Sequence, residues 1–442
     1  MPSEADVLIV GAGPAGATAA LVLARAGVRV RLVDRARFPR PKLCGDTLNP
    51  GALAVLARLG IAEDVRAAAV PLEGMTVTGP GGATVTALYG PPRSSCLDGG
   101  SPVEEPCRSS RFSGRGTNPW HPTGAALPRS EFDLLLLRRA LAAGASMEED
   151  VHVVGALVED ASWRDRRVRG ALALGSGGRR LELRAPVTIA ADGRRSRIAF
   201  GLGLAWHPAT PRRWAIGTYF EGVRGVGPVG EMHVRPGHYL GIAPLPGGLA
   251  NVCLVVPEAL ARKGGFRMRA GASLGRGGWG AALLDEAISR DPGLRDRFEG
   301  ARPLSPPTVL GPLAVDGTRR FPRGLLVAGD AAGFIDPMTG DGMRFALRGG
   351  ELAAAEALRL LHAGPDAEGR LGRMLDLEFG RKRAFNRALR TLAGSAAAVR
   401  LAALAGTLRP GLVAWVVRYA GDAGSLGDLS RSTTPRAASP AA

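Results

Sequence analysis

Val7-Leu8-Ile9-Val10-Gly11-Ala12-Gly13-Pro14-Ala15-Gly16 decides how this chain is read. Four consecutive apolar, mostly β-branched residues read as a strand buried on both faces, and a glycine ends it at once. The three glycines then stand at the spacing of a strand–turn–helix that closes on a pyrophosphate. Gly11 makes the tight turn, Gly13 lets the backbone approach the phosphates, and Gly16 lets the helix pack on the sheet. The helix, opening at Pro14 and Ala15, offers free N–H groups and a positive dipole end, and Gly27 is its stop. A second strand over residues 28–33 leads into Asp34-Arg35. A carboxylate about twenty residues past the turn accepts an adenosine ribose hydroxyl, and it disfavours a 2′-phosphate. The site therefore takes FAD or NAD rather than NADP.

Two distant segments choose between them. Ala190-Ala191-Asp192-Gly193-Arg194-Arg195-Ser196-Arg197 follows an apolar strand. Leu325-Leu326-Val327-Ala328-Gly329-Asp330-Ala331-Ala332-Gly333 runs on into Phe334-Ile335-Asp336-Pro337-Met338-Thr339-Gly340-Asp341-Gly342-Met343. Asp330 falls at the carboxyl end of a strand, where open α/β sheets bind ligands. The helix beginning near Asp341 turns its N-terminus toward whatever lies above Gly340 and Gly342, where it would stabilise negative charge.

These segments resemble the DG and GD motifs of the p-hydroxybenzoate hydroxylase-like flavoproteins. Arg37-Phe38-Pro39-Arg40-Pro41-Lys42-Leu43-Cys44-Gly45-Asp46 is similar to the FPRxKxCG stretch of geranylgeranyl reductase-like proteins. The resemblance covers residues 5–75, 125–200 and 212–360. It implies an FAD-dependent oxidoreductase of the geranylgeranyl reductase and group A flavoprotein monooxygenase superfamily. In that frame Asp330 takes the ribityl chain, with Gly329, Gly340, Gly342 and Met343 near the ring system. Asp192 and Gly193 support the pyrophosphate region, and Arg129 contacts FAD from the start of its helix. Cys44 and Gly45 sit beside the flavin, Cys44 facing the substrate as the one candidate catalytic side chain, and Lys42 holds the loop. The chain departs from the family's YxWxFP region: Gly241 and Ala243 replace aromatic positions. The WxWxIP signature of flavin-dependent halogenases is absent. Tyr239 and His238 either line the pocket or pack in a sheet.

The implied fold is α/β with an α+β second domain. A discontinuous Rossmann-type FAD-binding domain takes residues 1–73, 125–200 and 305–365. A substrate-binding β-sheet domain takes 74–89 and 201–304, and a helical C-terminal region takes 366–442 with a disordered end. Residues 90–124, rich in Pro, Ser and Gly, break all periodicity and read as a flexible insertion in which Cys96 and Cys107 are spectators. Local patterns place a helix over 52–60, a strand pair over 74–88, and a helix over 130–143 capped by Ser130. They place strands near 151–158, 168–174, 180–184, 186–191 and 324–330, several over 212–256, and a helix over 341–362.

The 442 residues carry a net charge of +17, but lysine occurs only at Lys42, Lys263 and Lys382, and the arginines are scattered. That lacks the clustered footprint of a nucleic-acid-binding face, so no nucleic-acid partner is expected. Four cysteines without a CxxC pair or His/Cys cluster exclude a zinc site and fit a reducing cytoplasm. The early strand argues against a secretory signal, and no apolar run reaches the ~18 residues of a spanning helix. Leu401 to Val417 is mainly apolar, which suits core packing or peripheral membrane contact equally.

Two activities stay open. A geranylgeranyl reductase-like enzyme would reduce double bonds of a prenyl or other small hydrophobic substrate. Alternatively, an NAD(P)H-dependent monooxygenase would hydroxylate or epoxidise an aromatic, polyketide or terpenoid substrate. Retention of all three flavin motifs argues against a non-catalytic role. With no second GxGxxG unit, the donor, NAD(P)H or ferredoxin, docks transiently. Oligomeric state is not legible in the sequence.

Overall fold

The computed structural model describes residues 5–42, 46–90, 123–159, 166–175, 178–210, 212–263, 278–364 and 369–423. Within these, the opening strand Val7–Val10 is the centre of a five-stranded parallel sheet. The spatial order is Leu325–Val327, Val187–Ala190, Val7–Val10, Val30–Val33, Ser146–Glu148. Strands covered on both faces read as continuous apolar runs, and Val7, Leu8 and Ile9 are indeed wholly buried.

The helix Pro14–Arg25 packs closely on its own turn at Gly16, and on the long helix Gly342–Ala363 at Gly350. A Cβ on Gly16 would stand 1.8 Å from the Gly11 carbonyl oxygen, and one on Gly350 would stand 2.4 Å from that of Ala15. Gly349-Gly350 lies inside a helix, where each glycine costs about 1 kcal/mol relative to alanine. Close approach to the fingerprint helix is the physical reason for Gly350.

A second sheet of eight strands forms the other half of the molecule. Its order is Arg302–Pro303, Arg213–Glu221, Leu249–Pro257, His238–Leu245, Val229–Arg235, Gly74–Thr78, Thr84–Leu88, with Thr308–Leu310 also paired to Arg213–Glu221. Period-two alternation sorts the side chains. Trp214, Ile216 and Phe220 join an outer core with Leu284 and Ile288 of the helix Trp279–Ser289. Ala215, on the opposite face, packs with Tyr239, Val255 and Leu313. Thr308–Leu310 thus belongs to this sheet.

The helix expected to start from a Ser130 cap runs Arg129–Ala142, with Pro128 before it and Ser130 inside its first turn. The cap comes from far away instead: the Arg129 N–H donates to Asp46 Oδ1 at 2.9 Å. Pro410 opens a helix, Pro410–Ala420, after Leu371–Gly394 and Ala396–Leu408. Lys382 pins these C-terminal helices to the start of Gly342–Ala363. Its ammonium donates to the Tyr419 carbonyl, to Ala420 O at 2.9 Å and to Asp422 Oδ1 at 2.9 Å, and it lies 3.4 Å from Asp341. Most of 90–124, with Cys96 and Cys107, lies outside the described residues, as do Cys44, Gly45 and the chain beyond 423.

Candidate functional site

An open trough of about 1650 Å³ runs along the carboxyl ends of the parallel strands and under the second sheet. Drug-sized ligand pockets are about 300–1,000 Å³, so this one accommodates a dinucleotide with room beside it. At one end lie Gly11, Gly13, Pro14, Ala15, Asp34 and Arg35. Gly11 adopts φ +98°, and a Cβ there would meet the Ala191 carbonyl oxygen at 2.5 Å. The fingerprint helix has no side-chain cap and no acid in its first turn. Its leading N–H groups therefore face the trough without an intrahelical partner, the arrangement that binds phosphate. Asp34 is held by two backbone donors: Oδ2 accepts from Ala12 N at 2.8 Å and Oδ1 from Ala36 N at 2.9 Å. Gly16 does not line the trough; it serves the packing described above.

The middle is lined by Asp192 and Gly193. Asp192 Oδ2 accepts from Arg197 N at 2.7 Å, while Oδ1 is buried without a hydrogen-bond partner among the described residues. Arg194 and Arg195 donate to Pro312 O at 2.6 Å and Gly311 O at 2.8 Å, tying this segment to the loop that enters the second sheet. At the far end stand Gly329, Asp330, Gly340, Gly342 and Met343. Gly329 takes φ +63°, and a Cβ on it would lie 2.9 Å from the Ala15 Cβ. The two glycine-lined strand ends, over three hundred residues apart, thus converge on one trough.

Arg40, Lys42 and Arg129 gather in the same space. Arg129 is buried and makes a two-pronged pair with Asp133, at 2.7 and 2.9 Å, and Arg40 meets the same carboxylate at 2.9 Å. Lys42 feels Arg129, Arg40, Asp133 and Asp330 together. Loss of water, and after it the repulsion of Arg129, push its ammonium down from 10.5 to about 8. Three cations against two carboxylates leave an excess positive charge that a pyrophosphate complements. Asp133 was not singled out from sequence, although its i, i+4 spacing from Arg129 was a visible signal.

Beneath the second sheet, Asp46 collects donors from both halves of the molecule. Besides Arg129 N, it accepts from Asn251 Nδ2 and, at 3.4 Å, from the Tyr219 hydroxyl. Burial raises its pKa to about 6 against these donors. The folded protein therefore holds this proton where the unfolded chain has lost it, and Asp46 reduces stability as pH climbs from about 4 to 6. We expect Asp46→Asn to lack that decline, so its stability deficit relative to the parent narrows between about pH 4 and 6 and then levels off; denaturant melts between pH 4 and 8 check this. Tyr239 does not line the trough: it is buried in the sheet and donates to Asp336.

The uncapped helix N-terminus, the carboxylate of Asp34, the cation group and the glycine cradle around Asp330 together fit FAD. Comparison with known proteins agrees. The FAD binding domain family model matches residues 4–233. A menaquinone reductase of Mycolicibacterium smegmatis is 32% identical over 371 residues, covering 80% of this chain and 76% of the relative. A digeranylgeranylglycerophospholipid reductase of Methanosarcina mazei is 27% identical, covering 82% and 77%. Among solved structures, a geranylgeranyl bacteriochlorophyll reductase-like protein from Thermoplasma acidophilum superposes with a TM-score of 0.67 at 22% identity, covering 90% of this chain and 89% of that one. The flavin-dependent halogenase CmlS gives 0.70 at 22%, covering 87% of this chain and 64% of that longer one. At these identities the two structures speak for the fold alone.

Proposed function

Because the chain belongs to the FAD binding domain family, within the geranylgeranyl reductase and p-hydroxybenzoate hydroxylase-like superfamily of FAD-dependent oxidoreductases, we propose that it reduces a carbon–carbon double bond in a prenylated lipid or quinone. The observation that carries this reading is the single trough from Gly13 to Asp330 and onward to an apolar wall of Val309, Leu310, Leu313, Phe334 and Pro337. That wall suits an isoprenoid chain, whose burial is driven by apolar area alone.

Bound in the trough, FAD would supply the two-electron chemistry. The chain's own residues would do the rest. The N–H groups after Gly13 and the cations Arg40, Lys42 and Arg129 would hold the diphosphate. Asp34 would take a ribose hydroxyl and Asp330 the ribityl hydroxyls. The leading N–H groups of Gly342–Ala363 would stabilise negative charge at the ring. The apolar wall would exclude water and align the double bond. Cys44, the one candidate catalytic side chain, would face the substrate. NAD(P)H or reduced ferredoxin would dock transiently as donor, with the enzyme working in the cytoplasm or at the inner face of its membrane.

The test is anaerobic. Photoreduced holoenzyme is mixed with menaquinone or a geranylgeranyl-bearing phospholipid, and the flavin band near 450 nm is followed while products are weighed. Return of the band with a product that stays two hydrogens heavier after any quinol is reoxidised in air supports the proposal. Reoxidation by oxygen alone, with an oxygenated product, would hand the site to the monooxygenase alternative.

A further inference from the structure

The helix Ala396–Leu408 turns its apolar face the wrong way for a core element. Leu401, Leu404 and Leu408 follow the i, i+3, i+7 pattern of one helix face, yet they are 67%, 58% and 75% exposed. Leu412, at the start of the next helix, adds 38%. The helix is firmly seated on its other side: Val399 is buried, and a Cβ on Gly79 would lie 3.0 Å from Ala403 Cβ at the turn of the Gly74–Leu88 hairpin. The leucine stripe is therefore presented outward by a supported helix.

Charge says what the stripe faces. From Phe379 to Gly421 the sequence holds eight cations and not one Asp or Glu. Lys382 and Arg383 are buried, but Arg400, Arg409 and Arg418 are exposed and make no ion pair among the described residues. Leucines on one helix face, with Arg400 beside Leu401, Arg409 just past Leu408 and Arg418 on the next helix, match the two halves of an anionic bilayer surface, acyl chains below and phosphates above. The helix has 13 residues, short of the about 20 that span a bilayer. No single described helix is long and apolar enough to cross. It would lie in the interface plane.

We propose that Ala396–Leu408, continued by Leu412, is a docking surface for an anionic lipid membrane. The Leu371–Gly394 helix that leads into it also contacts the Pro337–Thr339 turn, and Pro337 lines the trough. Docking would thus set the trough's apolar end near the bilayer from which a lipid substrate comes. The surface itself does not rest on the prenyl reading: vesicle binding is measurable whatever the enzyme reduces.

The experiment is co-sedimentation of FAD-loaded protein with vesicles of phosphatidylcholine, alone or mixed with phosphatidylglycerol, followed by flavin absorbance. Wild type should partition onto the anionic vesicles, and less so as salt is raised. Leu401→Gln/Leu404→Gln/Leu408→Gln and, independently, Arg400→Gln/Arg409→Gln/Arg418→Gln should each lower the partition coefficient about tenfold or more. Both should keep wild-type FAD content and melting temperature, because none of these side chains lines the trough. The idea is overturned if wild type stays in the supernatant, or if the leucine variant sediments like wild type. It is equally overturned if light scattering shows a dimer that the leucine variant dissolves, since a second copy would then cover the stripe.

Discussion

Gly16→Ala is expected to give a protein that melts several degrees lower and retains little FAD. The added methyl would stand 1.8 Å from the Gly11 carbonyl oxygen and 3.3 Å from the Ala191 side chain. The obstacle at 1.8 Å is backbone, so no side chain can swing aside; the turn or the helix must move. Overpacking of this kind costs about 1–3 kcal/mol, sometimes more. The whole cost falls on the segment whose N–H groups face the trough. Moving the helix also disturbs Gly350, whose own fit against Ala15 leaves no spare room. Gly27→Ala is the control. Gly27 has φ +78° but nothing within 4 Å of a Cβ, so it should lose about 1 kcal/mol of stability with FAD content unchanged. Differential scanning fluorimetry and the 450 nm to 280 nm absorbance ratio read both. A yellow Gly16→Ala protein with native melting temperature would show that the turn and helix are not packed as closely as stated.

The elements legible in the sequence are those whose cause is local. A four-residue apolar strand, a glycine spacing and a carboxylate at the next strand's end all lie within about thirty residues, and each obeys a short-range steric or electrostatic rule. Asp330 was legible for the same reason, because its strand and glycines surround it in sequence. What escaped depends on partners far along the chain. The Ser130 cap is reasonable locally, but Asp46, 83 residues away, supplies the acceptor, and the helix starts one residue sooner. The role of Asp46 itself is invisible until the second sheet brings Asn251 and Tyr219 over it. Thr308–Leu310 carries too few residues to announce which sheet it joins, and only its pairing to Arg213–Glu221 settles that. Gly349-Gly350 is a different case. Two glycines inside a strong helical pattern were a readable sign of close helix contact, although not of which helix they touch.

Lys42→Met should stabilise the apoprotein and weaken FAD binding, two effects of opposite sign from one ammonium. The side chain is partly exposed in the trough, and its proton affinity is depressed from 10.5 to about 8 by desolvation first and Arg129 next. At 1.36 kcal/mol per unit that shift is worth on the order of 3 kcal/mol. Water admitted by the open trough reduces it to about 2 kcal/mol. A group whose folded pKa lies below its unfolded one penalises folding wherever the unfolded chain holds the proton more firmly. The penalty is full below pH 8 and fades as pH rises toward 10.5. Methionine keeps most of the aliphatic bulk and removes the charge, so the variant apoprotein should melt higher at pH 7 and converge with wild type above pH 10. A diphosphate in the trough would restore a counter-charge to the ammonium. Lys42→Met should therefore bind FAD about tenfold or more weakly at pH 7, and wild-type affinity should decline above pH 8 with net proton uptake on binding. Apoprotein melting curves against pH, together with FAD titration in buffers of different ionisation enthalpy, read the two effects separately. A variant that melts lower at pH 7 and binds FAD as tightly as wild type would make Lys42 a strut for the loop rather than a charge held ready for the cofactor.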